Sequence, residues 1–172
     1  MTEILRDALV VVTGGGGFVG RHLAHALLRA GARLRIASRH PEKAWAIRTG
    51  AEPGQVEFGR ADLRDGAGVA RALSGADAVV NLVGLFSGPL DAVQGRGVES
   101  LARAAGQAGA RAFVHVSAIG ADAASRVPYA NSKAAGEEAA LRGFPGATIL
   151  RPSVIFGPDD NFLNMFARMM RM

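Results

Sequence analysis

Cysteine is absent from the 172 residues, which excludes disulfides and thiolate metal sites without fixing a compartment. Tyrosine and tryptophan occur once each, and lysine only at Lys43 and Lys133, so the other cations are all arginine. No apolar run approaches the ~18 residues of a membrane span. The opening MTEILRD carries two acidic residues and no apolar stretch, so no secretory signal is expected and the cytoplasm is the default compartment. A cationic block is lacking as well. The formal charge of +5 is spread over arginines such as Arg6, Arg21, Arg29, Arg33, Arg60, Arg103 and Arg142. A nucleic-acid binder would gather them on one stripe, so no nucleic-acid partner is expected. A solvated surface is the plain reading, with attraction to an anionic cofactor or an acidic membrane surface as the alternative.

What remains is enough for one α/β domain with a real core. Strand-like and helix-like segments alternate with short connections, the pattern of a doubly wound parallel sheet of about six strands. Strands are predicted at Leu9–Val12, Leu34–Ala37, Val56–Gly59, Asp77–Val83, Phe113–Val116 and Thr148–Leu150. Helices are predicted over Phe18–Ala30, from Pro41 to about Thr49, Gly68–Leu73, Asp91–Ala108 with interruptions at Gly95 and Gly97, Pro128–Leu141, and Asn161–Arg171. In such a sheet ligands lie beyond the carboxyl ends of the strands, so the residues that follow each strand are the ones to interrogate.

The first strand runs into four glycines, Gly14 to Gly17, and then into a helix. Strand, glycine turn, helix is the context of a dinucleotide fingerprint. Glycine lets the backbone approach a pyrophosphate closely, and the N–H groups of the first helical turn, at Phe18, Val19 and Gly20, face its charge. The spacing fits both Gly15-x-Gly17-x-x-Gly20 and Gly14-x-x-Gly17-x-x-Gly20.

After the second strand come Ser38 and Arg39, with no carboxylate to hold a ribose 2′-hydroxyl. Arg39 suits a 2′-phosphate, so NADP(H) is expected over NAD(H), with an ordinary exposed cation as the competing role. Asp62 and Leu63 are placed to flank the adenine, while Asp65 reads as a helix N-cap. Asn81, Leu82, Val83 and Gly84 are placed to line the central portion of the cofactor. Tyr129 and Lys133 are four apart on one helix face. An ammonium beside a phenol favours the phenolate and would bring it toward a working general acid/base, and Lys133 is also placed to hydrogen-bond the nicotinamide ribose of the cofactor.

Together these residues resemble the extended and atypical short-chain dehydrogenase/reductase families, whose fold is the Rossmann fold. TGGGGFVG is similar to the extended TGxxGxxG fingerprint, which selects Gly14, Gly17 and Gly20. Tyr129-Ala-Asn-Ser-Lys133 resembles the YxxxK signature. The segment Arg151 to Pro158, RPSVIFGP, resembles the one that lines the nicotinamide, which implies roles for Pro152 and Ser153. Ser117 matches the first hydroxyl of the family's substrate-orienting run, with Ala118 and Ile119 in place of later ones. More narrowly, NLVG, HVS and FPGATILRPSVIFGPDDNFLN resemble the Rossmann-type accessory subunit family of respiratory complex I and its bacterial relatives. That family carries an NADPH held to be structural.

The resemblance implies a single NAD(P)-binding domain over 1–172, with the family's smaller C-terminal substrate region lying beyond it. Two functions follow. In one, the bound dinucleotide is structural or weakly redox-active, with a respiratory complex or the inner face of a membrane as partner. In the other, an oxidoreductase, epimerase or dehydratase acts on a carbonyl, alcohol or nucleotide-sugar substrate through Tyr129, Lys133 and Ser117. Phe162, Leu163, Met165, Phe166, Met169 and Met170 would form an apolar helix face, either packed in the domain or driving self-association.

Overall fold

The computed structural model describes residues 3–158 and residue 160. Six strands, β1 (Leu9–Thr13), β2 (Arg33–Ser38), β3 (Val56–Arg60), β4 (Ala78–Asn81), β5 (Ala112–Val116) and β6 (Thr148–Leu150), form one sheet. Its order is β3-β2-β1-β4-β5-β6 and every pairing is parallel. Among the described residues four α-helices accompany it: α1 (Phe18–Arg29), α2 (Gly66–Leu73), α3 (Arg96–Gln107) and α4 (Pro128–Gly143). The order reverses at β1, between β2 and β4, which opens a crevice at the carboxyl ends of those strands.

β1 is buried at all five positions because it is covered on both faces. Alternation then splits its side chains between two cores. Val10 and Val12 join Leu34, Ile36, Ala24, Leu28 and Ile47 beneath α1. Val11 joins Val79, Phe113, Val69, Leu73, Val98 and Leu101 beneath α2, α3 and α4. Each large side chain fully buried here, such as Leu34 or Leu101, contributes roughly 1.5–3 kcal/mol relative to exposure.

Three expectations are refined. Residues Pro41–Gly50 form a 3₁₀ helix in place of an α-helix. β4 stops at Asn81, because the Val83 N–H turns back to Asn81 Oδ1 at 3.1 Å. The long helix expected from Asp91 begins instead as a π-turn, Asp91–Gly95, before α3 takes over. Asp65 does cap α2, accepting from the Ala67 N–H at 3.1 Å. The helix expected at Asn161–Arg171, with its apolar face, lies outside the described residues. Among the described residues no helix is long and apolar enough to cross a membrane.

Candidate functional site

A cleft of about 250 Å³ opens at the carboxyl ends of β1 to β4. Thr13, Gly14 and Gly17 form its floor. Ser38, Arg39, Asp62 and Leu63 line one end, and Leu82, Val83, Gly84 and Leu85 the other, with Val93 beside them. Four strand ends distant in sequence thus meet where the chain reverses its winding.

Backbone geometry makes the floor. Gly14 has φ +76°, and a Cβ there would lie 3.1 Å from the Leu82 carbonyl carbon and the Val83 nitrogen. Gly20 is the closer fit: its Cβ would sit 2.5 Å from Gly15 Cα, so α1 rests directly on the turn. The Gly17 N–H closes the turn on Gly14 O at 3.0 Å, and Arg21 braces it through Gly16 O at 3.0 Å. The result is a bare backbone wall ending at the N-terminus of α1, a shape and polarity that fit a dinucleotide pyrophosphate.

Phe18, Val19 and Gly20 occupy the start of that helix, yet they are not part of this cleft. Gly20 is buried against Gly15, and Phe18 and Val19 line a separate recess with His22 and residues 155–158. Asn81 is likewise behind the wall. It is fully buried, and its Oδ1 accepts from Thr13 Oγ1 at 2.8 Å and from the Val83 N–H at 3.1 Å. Both acceptor directions being used, its amide nitrogen must donate to His115 Nδ1, 3.0 Å away. Asn81 therefore shapes the strand end, and its neighbours Leu82 to Gly84 line the cleft.

Asp62 faces the cleft, but Arg64 clasps its carboxylate, with Nε to Oδ1 at 3.0 Å and Nη2 to Oδ2 at 2.6 Å. Those bonds, with the Arg64 backbone N–H, hold the Asp62 carboxyl down at about 2.

The other end of the crevice carries the helix pair. Lys133 is buried, and its Nζ donates to the Val116 carbonyl at 2.8 Å, one residue before Ser117. Burial pushes the Lys133 ammonium down, opposed by the Glu137 carboxylate. Burial also pushes the Tyr129 phenol up. This corrects the expectation that Lys133 brings the phenol toward neutral pH. One of the three ammonium N–H groups is taken by a backbone carbonyl, and a half-buried phenol loses the hydration its anion needs. Phe86 stacks on Tyr129 with ring centroids 5.0 Å apart. Ser117 is 5% exposed, its hydroxyl lying against the Glu137 carboxylate outside regular hydrogen-bond geometry. Glu137 is itself gripped by Arg151 through two bonds of 2.8 and 2.6 Å. Burial raises the Glu137 carboxyl, and Arg151, with Ser117 and His115, more than reverses it. Pro152 and Ser153 lie in the extended stretch after β6, where the Pro152 carbonyl accepts from the Ile119 N–H at 3.0 Å.

Several buried polar residues, Glu137, His115 and Gln94 among them, were not singled out from sequence. His115, on β5, has a titration point lowered to about 4, by burial first and by the Lys133 ammonium second. Gln94, in the π-turn, accepts from the Leu85 N–H at 2.8 Å and donates to Ser132 Oγ at 2.7 Å. Ser132 Oγ in turn donates to the Tyr129 carbonyl at 2.8 Å. A glutamine in a helix interrupted by two glycines was the available signal.

Comparison with known proteins agrees with this geometry. The NAD dependent epimerase/dehydratase family matches residues 10–172. The chain is 34% identical over 164 residues to NADH dehydrogenase (ubiquinone) 1 alpha subcomplex subunit 9, mitochondrial, of Mus musculus, covering 92% of this chain and 44% of that protein. It is 36% identical over 160 residues to ceramide reductase of Caulobacter vibrioides, covering 88% of this chain and 48% of that one. The chain thus spans less than half the length of these curated relatives. Among solved structures, WbmH of Bordetella bronchiseptica in complex with NAD+ superposes with a TM-score of 0.81 at 20% identity, covering 96% of this chain and 63% of that one, which shows the fold alone. Fold, glycine turn and sequence likeness converge: the chain belongs to the NAD-dependent epimerase/dehydratase family, within the short-chain dehydrogenase/reductase type.

Proposed function

We propose that this chain is a dinucleotide-binding domain whose bound NADP(H) is a structural component, as in an accessory subunit of a respiratory complex at a membrane surface. The observation that carries this reading is the half-buried Tyr129 ring, stacked under Phe86 with ring centroids 5.0 Å apart. Burial raises the phenol there, which makes it a poor proton donor or acceptor at neutral pH. A ligand that binds only the folded chain stabilises it by mass action, by ~2.7 kcal/mol at a hundred times its dissociation constant, so this role needs no chemistry. When bound, the nicotinamide would supply hydride chemistry. Arg39, exposed at the mouth of the cleft, supports NADP(H) over NAD(H). The likeness to the mitochondrial subunit supports the respiratory partner.

A second reading is a reductase or epimerase acting through Tyr129, Lys133 and Ser117. The Lys133 contact with the Val116 carbonyl favours it in one respect, because it anchors the ammonium beside Ser117. The likeness to ceramide reductase supports it too.

Mass spectrometry of the dinucleotide that copurifies with the chain, followed by thermal denaturation with and without it, tests the structural reading. NADP(H) in one fixed redox state and an unchanged thermal shift in Tyr129→Phe are expected. A cofactor that changes redox state when a carbonyl or alcohol compound is added, and ceases to do so in Tyr129→Phe, would overturn it.

A further inference from the structure

Beside the adenosine end of the cleft, and sharing Arg39, Ala61 and Asp62 with it, lies a second recess of about 410 Å³. Four arginines border it, Arg39, Arg60, Arg64 and Arg71, against two carboxylates, Asp62 and Asp65. Both carboxylates are already committed. Asp62 is clasped by Arg64, and Asp65 caps α2 through the Ala67 N–H. Arg39, Arg60 and Arg71 form no ion pair among the described residues, and with four arginines against two carboxylates the recess is net positive next to where the cleft ends.

The sheet brings two of these arginines to adjacent strand ends bordering the recess. Arg60 is the last residue of β3 and pairs with Ser38, the last residue of β2, and Arg39 follows directly. The Ala61 N–H donates to the Ser38 carbonyl at 3.0 Å and holds the two strand ends together beyond the register. Two guanidinium groups on adjacent strand ends suit a phosphomonoester dianion, which offers each of them a pair of oxygens.

We propose that Arg60 is a second, specificity-determining residue for the cofactor, which with Arg39 seats a phosphate carried on the 2′ position of the adenosine ribose. The proposal rests on the reading that the cleft takes NADP(H), and it assigns part of that preference to β3 as well as to the residue after β2. Arg71, from α2, closes the far side of the recess.

The test is calorimetric binding of adenosine 2′,5′-bisphosphate, adenosine 3′,5′-bisphosphate and adenosine 5′-monophosphate. The proteins are the wild type, Arg60→Ala, Arg60→Lys and Arg39→Ala, with Arg103→Ala as a cation control outside the recess. The wild type should bind the 2′-phosphorylated nucleotide about tenfold or more tightly than the monophosphate. Arg60→Ala should lose about tenfold of that preference, with monophosphate affinity unchanged as evidence of an intact fold, and Arg60→Lys should recover only part of it. Full preference in Arg60→Ala together with its loss in Arg39→Ala overturns the role of Arg60 and leaves the NADP(H) reading standing. No preference in the wild type overturns both. Equal binding of the 2′ and 3′ isomers, or an equal loss in Arg103→Ala, would make the recess an unspecific cation patch and overturn the proposal.

Discussion

Asn81 and His115 hold each other in the interior, amide nitrogen to Nδ1, at 3.0 Å between adjacent parallel strands. Because Asn81 Oδ1 is occupied by Thr13 and Val83, the imidazole must accept at Nδ1 and carry its proton on Nε2, which has no partner among the described residues. The pair ties the cleft floor at Thr13 to the strand that leads into Ser117.

That arrangement sets a pH dependence. The folded His115 titrates at about 4 against an ordinary 6.5, so the unfolded chain binds its proton first. Its contribution is complete above pH 6.5 and falls away as pH drops toward 4, by ~3 kcal/mol in all. Glu137 and Asp62, both lowered, add their losses only below the usual carboxylate range. Urea denaturation between neutral pH and pH 5 should therefore show declining stability, and His115→Asn should flatten the slope. A flat wild-type profile would contradict the buried neutral imidazole.

Tyr129 is the only tyrosine, so its ionisation can be followed directly by ultraviolet absorbance. The midpoint should lie above the ordinary value of 10.0 and move back toward it in Phe86→Ala, which uncovers the ring. A midpoint below that value would mean that the Lys133 ammonium acts on the phenol, in favour of an active enzyme.

Gly20→Ala should be the most damaging change in the glycine turn. Its methyl group would meet Gly15 backbone at 2.5 Å, where nothing can rotate away, whereas a Cβ at Gly15 would meet the Ile36 side chain. A loss of ~1–3 kcal/mol, typical of overpacking, is expected by denaturation, along with loss of dinucleotide binding. A stable, binding-competent Gly20→Ala would show that the helix does not need to rest on the turn.

Gln94→Leu keeps much of the volume but orphans the Leu85 N–H and removes the donor to Ser132 Oγ, which keeps its own bond to the Tyr129 carbonyl. Leaving buried partners unpaired costs ~1–3 kcal/mol. Since Leu85 lines the cleft, dinucleotide affinity should fall as well. Unchanged affinity in Gln94→Leu would separate the π-turn from the site.

The architecture was legible because it is written in local pattern. β-branched runs buried on both faces, glycine before the first helix and short connections leave a parallel doubly wound sheet as the economical solution, and all six strands lie where that pattern places them. The cleft wall from Leu82 to Gly84, and Ser38, Arg39, Asp62 and Leu63 opposite, were legible too, because strand ends in such a sheet converge by topology. Side-chain direction was not. Asn81 turns inward, Lys133 reaches the Val116 carbonyl, and Gln94 enters the interior at a π-turn, each decided by which partner a neighbouring strand or helix supplies.

The sequence by itself thus determined the sheet, the glycine turn and the family to which they belong. It also determined that Tyr129 and Lys133 share a helix face, since four residues make roughly one turn. Only the tertiary structure decided where the charges go. A hydrogen bond or an ion pair forms with whatever group the fold brings within 3 Å, and burial then sets its strength. That is why Lys133 is held on a carbonyl, why Asp62 is clasped by Arg64, and why Arg39 and Arg60 border the recess beside the cleft with no ion pair among the described residues.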